Sequence, residues 1–190
     1  MTYFISAPFG NYLKFENATS VTGSWTVLPR PGLLWQIIKT LRYVRSEAGF
    51  SWRNKIGLRN AGIHEGLKRT GNFEVLSIAA ITKHDWINFD SIVPEHQSIE
   101  VNISCPNLDK DEDASSFSHF DEFPKTKRKW CICKIPPTSS NDLVDKIVDS
   151  GYNQIHASNT LPTDKGGLSG RILVPHTLRL IEYIKTKHPH

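Results

Sequence analysis

The sequence predicts an α/β fold, a TIM-type β/α barrel that is incomplete, with about six of the eight β/α units of a closed one. Three observations carry this expectation. Short apolar, β-branched runs alternate with amphipathic stretches along the chain, the pattern of a parallel sheet with helical crossovers. Three of those runs, EVNISCPN, CICKIPP and QIHASNT, end in polar side chains suited to chemistry. In a barrel the C-terminal ends of the strands converge on one mouth, so such exits point to an active site there.

The six strand candidates, in order, are TYFISAP, SVTGSWTV, FEVLSIAA, IEVNISC, KWCICKI and NQIHAS. Between the last two lies SSNDLVDKIVDSGY, where Leu143, Val144, Ile147 and Val148 form one apolar stripe. Ser140 or Asn141 can cap its start and Gly151 can supply a left-handed stop. The final stretch VPHTLRLIEYIKTKHPH reads as a helix with Leu178, Ile181 and Ile184 inward. Segment 108–129 is the longest polar stretch, with Asp109, Asp111, Glu112, Asp113, Asp121 and Glu122 ahead of a basic run. It reads either as a loop over the mouth or as a surface insertion touching no ligand.

One domain, residues 1–190, is expected, and 38% hydrophobic with 22% charged residues excludes a disordered or fibrous chain. The net charge of +4 leans basic, but lysine and arginine are spread out, and the single dense run is Lys125-Thr126-Lys127-Arg128-Lys129. A nucleic-acid surface needs a basic face with aromatic or groove-reading partners, so the run reads as a solvated loop or strand approach in preference to a phosphate or nucleic-acid site, and no nucleic-acid partner is expected. Cys105, Cys131 and Cys133 form an odd set without a CxxC pair, which supports neither a disulfide framework nor a metal site. The start MTYFISAPFGNYL lacks a basic region followed by a long apolar one, and no stretch approaches the roughly 18 apolar residues of a membrane span. A soluble, cytoplasmic protein is expected.

Strand alternation places Asn102 and Ser104 on the face opposite Val101 and Ile103, so the asparagine points into the barrel if the valine packs against outer helices. Such an amide serves a ligand or bonds the backbone of the turn. Lys134 lies inside the apolar run CICKIPP, where a charge is costly unless an anionic or hydrogen-bonding partner meets it. Cys105 precedes Pro106 and can act as base or nucleophile, or simply pack, whereas Cys131 and Cys133 alternate within a strand as packing residues.

EVNISCPN, RNKIGLRNAG at 53–62, CICKIPP at 131–137 and HASNTLPTDKGGLSG at 156–170 together resemble the dihydroorotate dehydrogenases, FMN-dependent enzymes of pyrimidine synthesis. GSWTVLPRPG at 23–32 is similar to that family's turn after the second strand. The resemblance implies a β/α barrel that binds dihydroorotate or orotate and FMN. It assigns Asn54, Asn102, Asn107 and Asn159, with Thr160, to the planar pyrimidine. Cys105 takes the position of the base that removes the proton from substrate carbon 5 while hydride leaves carbon 6 for flavin N5. Lys134 matches the catalytic lysine beside the flavin, and Ala7, Ser24, Asn102, Ser158 and Gly170 match flavin-contacting positions.

The chain also departs from the family pattern. A second flavin-side lysine is expected in Ala7-Pro8-Phe9-Gly10 or at Gly23, and neither place has one. The turn after SCPN is replaced by LDKDEDASSF, and the last two strands of the family, with their phosphate-binding glycine turns, have no counterpart. Two functions of different class follow: a flavin oxidoreductase acting on dihydroorotate, completed by a homo-oligomer or a complementing chain, or an inactive shortened relative serving as a binding or assembly subunit. A third reading is another pyrimidine-handling flavin enzyme on the same barrel. The electron acceptor expected is fumarate-like or another soluble molecule.

Overall fold

In the computed structural model the residues described are 2–104, 121, 123–124 and 127–189. β1 (Tyr3–Ile5) and β2 (Ala18–Ser20) pair in parallel. The chain then leaves the sheet through α1 (Leu33–Thr40) and the hairpin of β3 (Arg42–Ser46) and β4 (Gly49–Asn54), and returns by α2 (Ile63–Arg69). There follow β5 (Leu76–Ile78), α3 (Lys83–Ile92), β6 (Ile99–Asn102), β7 (Cys131–Ile135), α4 (Asn141–Asp149) and β8 (Gln154–Ala157). A second hairpin, β9 (Leu161–Thr163) and β10 (Gly166–Gly170), precedes α5 (Val174–Lys187).

β5, β6, β7 and β8 form a parallel sheet in chain order. The chain just after β2 joins it: Val21 and Trp25 bridge in parallel to Val75 and Ile78, and the Trp25 N–H donates to the Ser77 carbonyl at 2.8 Å. The arc therefore runs β1-β2-β5-β6-β7-β8, built from the six expected runs. Among the described residues it does not close. β3, β4, β10 and β9 make a separate antiparallel sheet that the sequence pattern did not announce.

The two faces of the arc differ. Outward-pointing Leu76, Ile78, Ile99, Val101, Cys131, Cys133 and Ile135 share one core with Trp86 and Phe89 of α3, Val144 and Ile147 of α4, and Leu180 of α5. Burying such side chains contributes about 1.5–3 kcal/mol each, which fixes both the helices and the register of the strands. The inner face holds a smaller apolar cluster, Val21, Val75 and Ile132 with Phe4 and Trp130, whose rings meet edge to face at 5.1 Å. Toward the C-terminal ends of the strands this face turns polar.

The α4 helix follows its sequence signals. Ser140 caps it, accepting from the Leu143 N–H at 3.2 Å, and Gly151 takes φ +89° beyond its end. Three expectations need correction. The link from β1 to β2 contains a short 3-10 turn at Phe9–Asn11 instead of a crossover helix, and most of the link from β6 to β7 lies outside the described residues. In α5 the inward residues are Leu180, Tyr183 and Ile184, while Leu178 and Ile181 are 59% and 38% exposed. Docking on α4 turns this helix: Tyr183 donates to Asp145 at 2.9 Å and His188 lies 2.7 Å from the same carboxylate. Finally, Arg128 of the basic run is buried, donating to the carbonyls of Pro94 at 2.9 Å and Gln97 at 2.6 Å, while Lys127 pairs with Glu95. Lys127 and Arg128 thus strap the loop after α3 to the approach of β7, the strand-approach part of the expectation. Among the described residues no helix is long and apolar enough to cross a membrane, and no group of side chains could hold a metal ion.

Candidate active site

Alternation along β6 points Glu100 and Asn102 to the inner face, as expected for the asparagine, and both are buried. Lys134 of β7 stands in register between Asn102 and His156 of β8. A continuous set of contacts crosses this face. Asn102 Nδ2 donates to Ser24 Oγ at 2.7 Å, the Ser24 and Ser77 hydroxyls lie 2.9 Å apart, and Ser77 Oγ donates to Glu100 Oε1 at 2.7 Å. His156 Nδ1 sits 2.7 Å from Glu100 Oε2.

Glu100 decides the direction of that chain. Burial by itself raises its pKa, yet the charge of Lys134, the hydrogen bond and charge of His156 and the Ser77 hydroxyl together outweigh it and hold the carboxyl below its ordinary value. An ionised carboxylate only accepts, so His156 Nδ1 and Ser77 both donate to it. Ser77 Oγ then accepts from Ser24, and Ser24 from Asn102. The amide of Asn102 is thereby oriented, with its oxygen turned to the mouth.

A carboxyl held low in the fold stabilises it above pH 4.5, its ordinary value, and that stabilisation is lost as pH falls through the lower folded value. Thermal unfolding followed against pH should show the wild-type melting temperature dropping below pH 4.5, with a flatter profile for Glu100→Gln. Parallel profiles would mean that Glu100 is not the group responsible.

At the mouth, Asn102 Oδ1 accepts from the backbone N–H of Ser104 at 3.1 Å and from its hydroxyl at 2.9 Å. Asn159 reaches across from the β8 exit and donates to Ser104 Oγ at 2.9 Å, while its own oxygen accepts from the Thr160 N–H at 2.8 Å. The exits of β6 and β8 are thus joined by amides. Of the residues expected from sequence, this brings together Ser24, Asn102, Lys134, Asn159 and Thr160. Cys105 and Asn107 lie outside the described residues.

The others stand further off. Asn54 ends β4, opposite Gly167 of β10, and Gly167 is itself opposite Pro162 of β9. Two strand spacings put Asn54 about 10 Å from Pro162, which is three residues beyond Asn159. Ser158 directs its hydroxyl to Thr177 of α5 at 3.2 Å. Gly170, at φ +117°, closes β10 opposite Ser51, apart from the polar chain, and Ala7 lies in the turn after β1. Cys131 and Cys133 pack as expected: burial pushes the first thiol up to about 12 and the second well above its ordinary value.

Ser77, Glu100 and His156 escaped the sequence reading. A signal existed, since Glu100 precedes Asn102 by two residues and so shares its face. Recognising it as a partner of His156 required the register across three strands.

The chain matches no protein-family profile. It is 28% identical over 212 residues to the proteins called dihydroorotate dehydrogenase B (NAD(+)), catalytic subunit, of Thermotoga petrophila and Thermotoga maritima, covering 96% of this chain and 76% of each relative. The protein of the same name from Endomicrobium trichonymphae is 26% identical, covering 85% of this chain and 60% of its own length. Among solved structures, ligand-free dihydroorotate dehydrogenase of Eimeria tenella superposes with a TM-score of 0.64 at 18% identity, over 97% of this chain and 68% of that one. At that identity the likeness speaks for the fold.

Proposed function

Since this chain is a relative of the dihydroorotate dehydrogenases in sequence and in fold, we propose that it oxidises dihydroorotate to orotate in pyrimidine synthesis with FMN as cofactor. One observation carries the reading. Asn102, Ser104 and Asn159 converge at the mouth, with Lys134 beside them on the same inner face.

The donor set fits a flavin ring, whose edge is rich in carbonyl and N–H groups: an oriented amide at Asn102, the Ser24 hydroxyl and the Lys134 ammonium. Bound FMN supplies the hydride acceptor. Asn54, Asn107 and Asn159, with Asn102, hold the pyrimidine ring through paired amide contacts. Cys105 takes the proton from carbon 5, and Lys134 meets the negative charge that develops beside it. The relatives' name carries NAD(+), which, of the soluble acceptors expected from sequence, supports that one over a fumarate-like one. It also calls them catalytic subunits, which supports a complementing chain. The outer edges of β1 and β8, unpaired among the described residues, support a further chain as well.

A second reading, a binding or assembly subunit without turnover, is favoured by one position. At Gly23, one of the two places where the family resemblance calls for a lysine, an added Cβ would lie 3.1 Å from the Asn11 side chain, and the Gly23 N–H donates to Asn11 at 2.7 Å. The visible spectrum separates the two. Yellow protein that bleaches anaerobically on addition of dihydroorotate is the expected result, and light scattering on the same sample should report more than a monomer. A chain that stays colourless after added FMN would sink the enzyme and leave the binding subunit.

A further inference from the structure

Glu100 is only 2% exposed, yet it is not part of the ring-binding set. Its carboxylate lies on the same face as Lys134, one diagonal step across the β6–β7 ladder, within reach of a long side chain. Among the described residues the titratable groups facing it are Lys134 from β7 and His156 from β8; β5 contributes the hydroxyl of Ser77, which the hydroxyl of Ser24, on the segment after β2, meets in turn. One buried negative charge is therefore met from two neighbouring strands, by the Lys134 ammonium and by the His156 ring.

We propose that Glu100 is a positioning residue that acts through Lys134, its buried charge setting how strongly the ammonium attracts negative charge arriving at the mouth. The inference rests on the flavin reading for what arrives there. A carboxylate behind the lysine cancels part of its field, because in a site of low effective dielectric a single charge at this range changes an equilibrium about tenfold. His156, donating to the other oxygen, in turn limits how much of the Glu100 charge is left for Lys134. The arrangement makes removal of Glu100 and removal of Lys134 opposite perturbations of one potential. A carboxylate that merely holds the strands together would weaken the site whichever of the two were lost.

The coupling itself is tested on the flavin-free chain. Carbon-13 NMR of the Glu100 carboxyl should show its titration midpoint moving up by about one pH unit in Lys134→Gln, and moving the same way in His156→Gln. A midpoint that ignores Lys134→Gln overturns the proposal. Its consequence is then read as the reduction potential of bound FMN, titrated against a reference dye. Lys134→Gln should make that potential more negative and Glu100→Gln more positive. A shift in the same direction for both variants overturns the proposal in favour of a structural carboxylate. If wild-type protein takes up no FMN, the flavin reading fails by itself, and the carboxyl midpoint still decides whether Glu100 answers to Lys134.

Discussion

Cys105→Ser should slow reduction of the flavin by dihydroorotate about 10²- to 10⁴-fold at neutral pH, the range that a positioned base contributes. A serine hydroxyl is far less acidic than a thiol, so less of it is available as a base, and the deficit should shrink as pH rises. On the proposed reading orotate affinity should change little, because amides are assigned to the ring and Cys105 only to the proton that leaves. The other two thiols cannot take over. Burial pushes Cys131 up to about 12 and Cys133 well above its ordinary value, and both face the helices, away from the mouth. Stopped-flow absorbance measures the step directly, and equal rates for the two proteins would remove Cys105 from the mechanism.

Gly166→Ala should disturb the fold strongly for a single added carbon. Gly166 takes φ +118°, where an L side chain is strained, and an added Cβ would run into the backbone carbonyl of Asn54 well inside contact distance. Strain and overpacking together cost about 2–4 kcal/mol. Neither partner yields easily, since β10 pairs with β4 through Gly167 opposite Asn54, and the Gly166 carbonyl accepts from Thr163 across the hairpin. The displaced residue is itself a proposed ligand of the ring. Calorimetry should therefore show both a lower melting temperature and weaker orotate binding. An unchanged melting temperature would mean that the hairpin shifts as a body and that the close approach is dispensable.

The parallel arc was legible because its strands are short β-branched runs separated by helices or turns, and their order in the sheet is their order in the chain. The antiparallel sheet was not. β10 is GGLSG, a sequence of low strand propensity that becomes a strand only by pairing with β4 and β9. The β3–β4 hairpin beside it, RYVRS and GFSWRN, keeps Tyr43, Phe50 and Trp52 exposed, so the usual apolar-inward signal is missing. In α5, apolar residues at 178, 180, 181 and 184 allow more than one stripe, and only packing on α4 and β8 selects Leu180. The site divides in the same way. Asn102 and Lys134 could be placed from alternation within one strand, whereas the Glu100–His156 contact depends on three strands standing side by side.

The order of strands in the arc is also an order of local opening. β5, β6 and β7 lie between neighbours, with outward side chains closed under α3, α4 and α5, so their amides should exchange with solvent only when the whole molecule unfolds. β1 is held by a three-residue ladder to β2 on one side, and Tyr3 is exposed. It can detach without disturbing that core. The polar chain from Asn102 to Glu100 passes through Ser24, on the segment that carries β2 into the sheet, so the first loosening of the fold starts one strand away from the groups that orient the site.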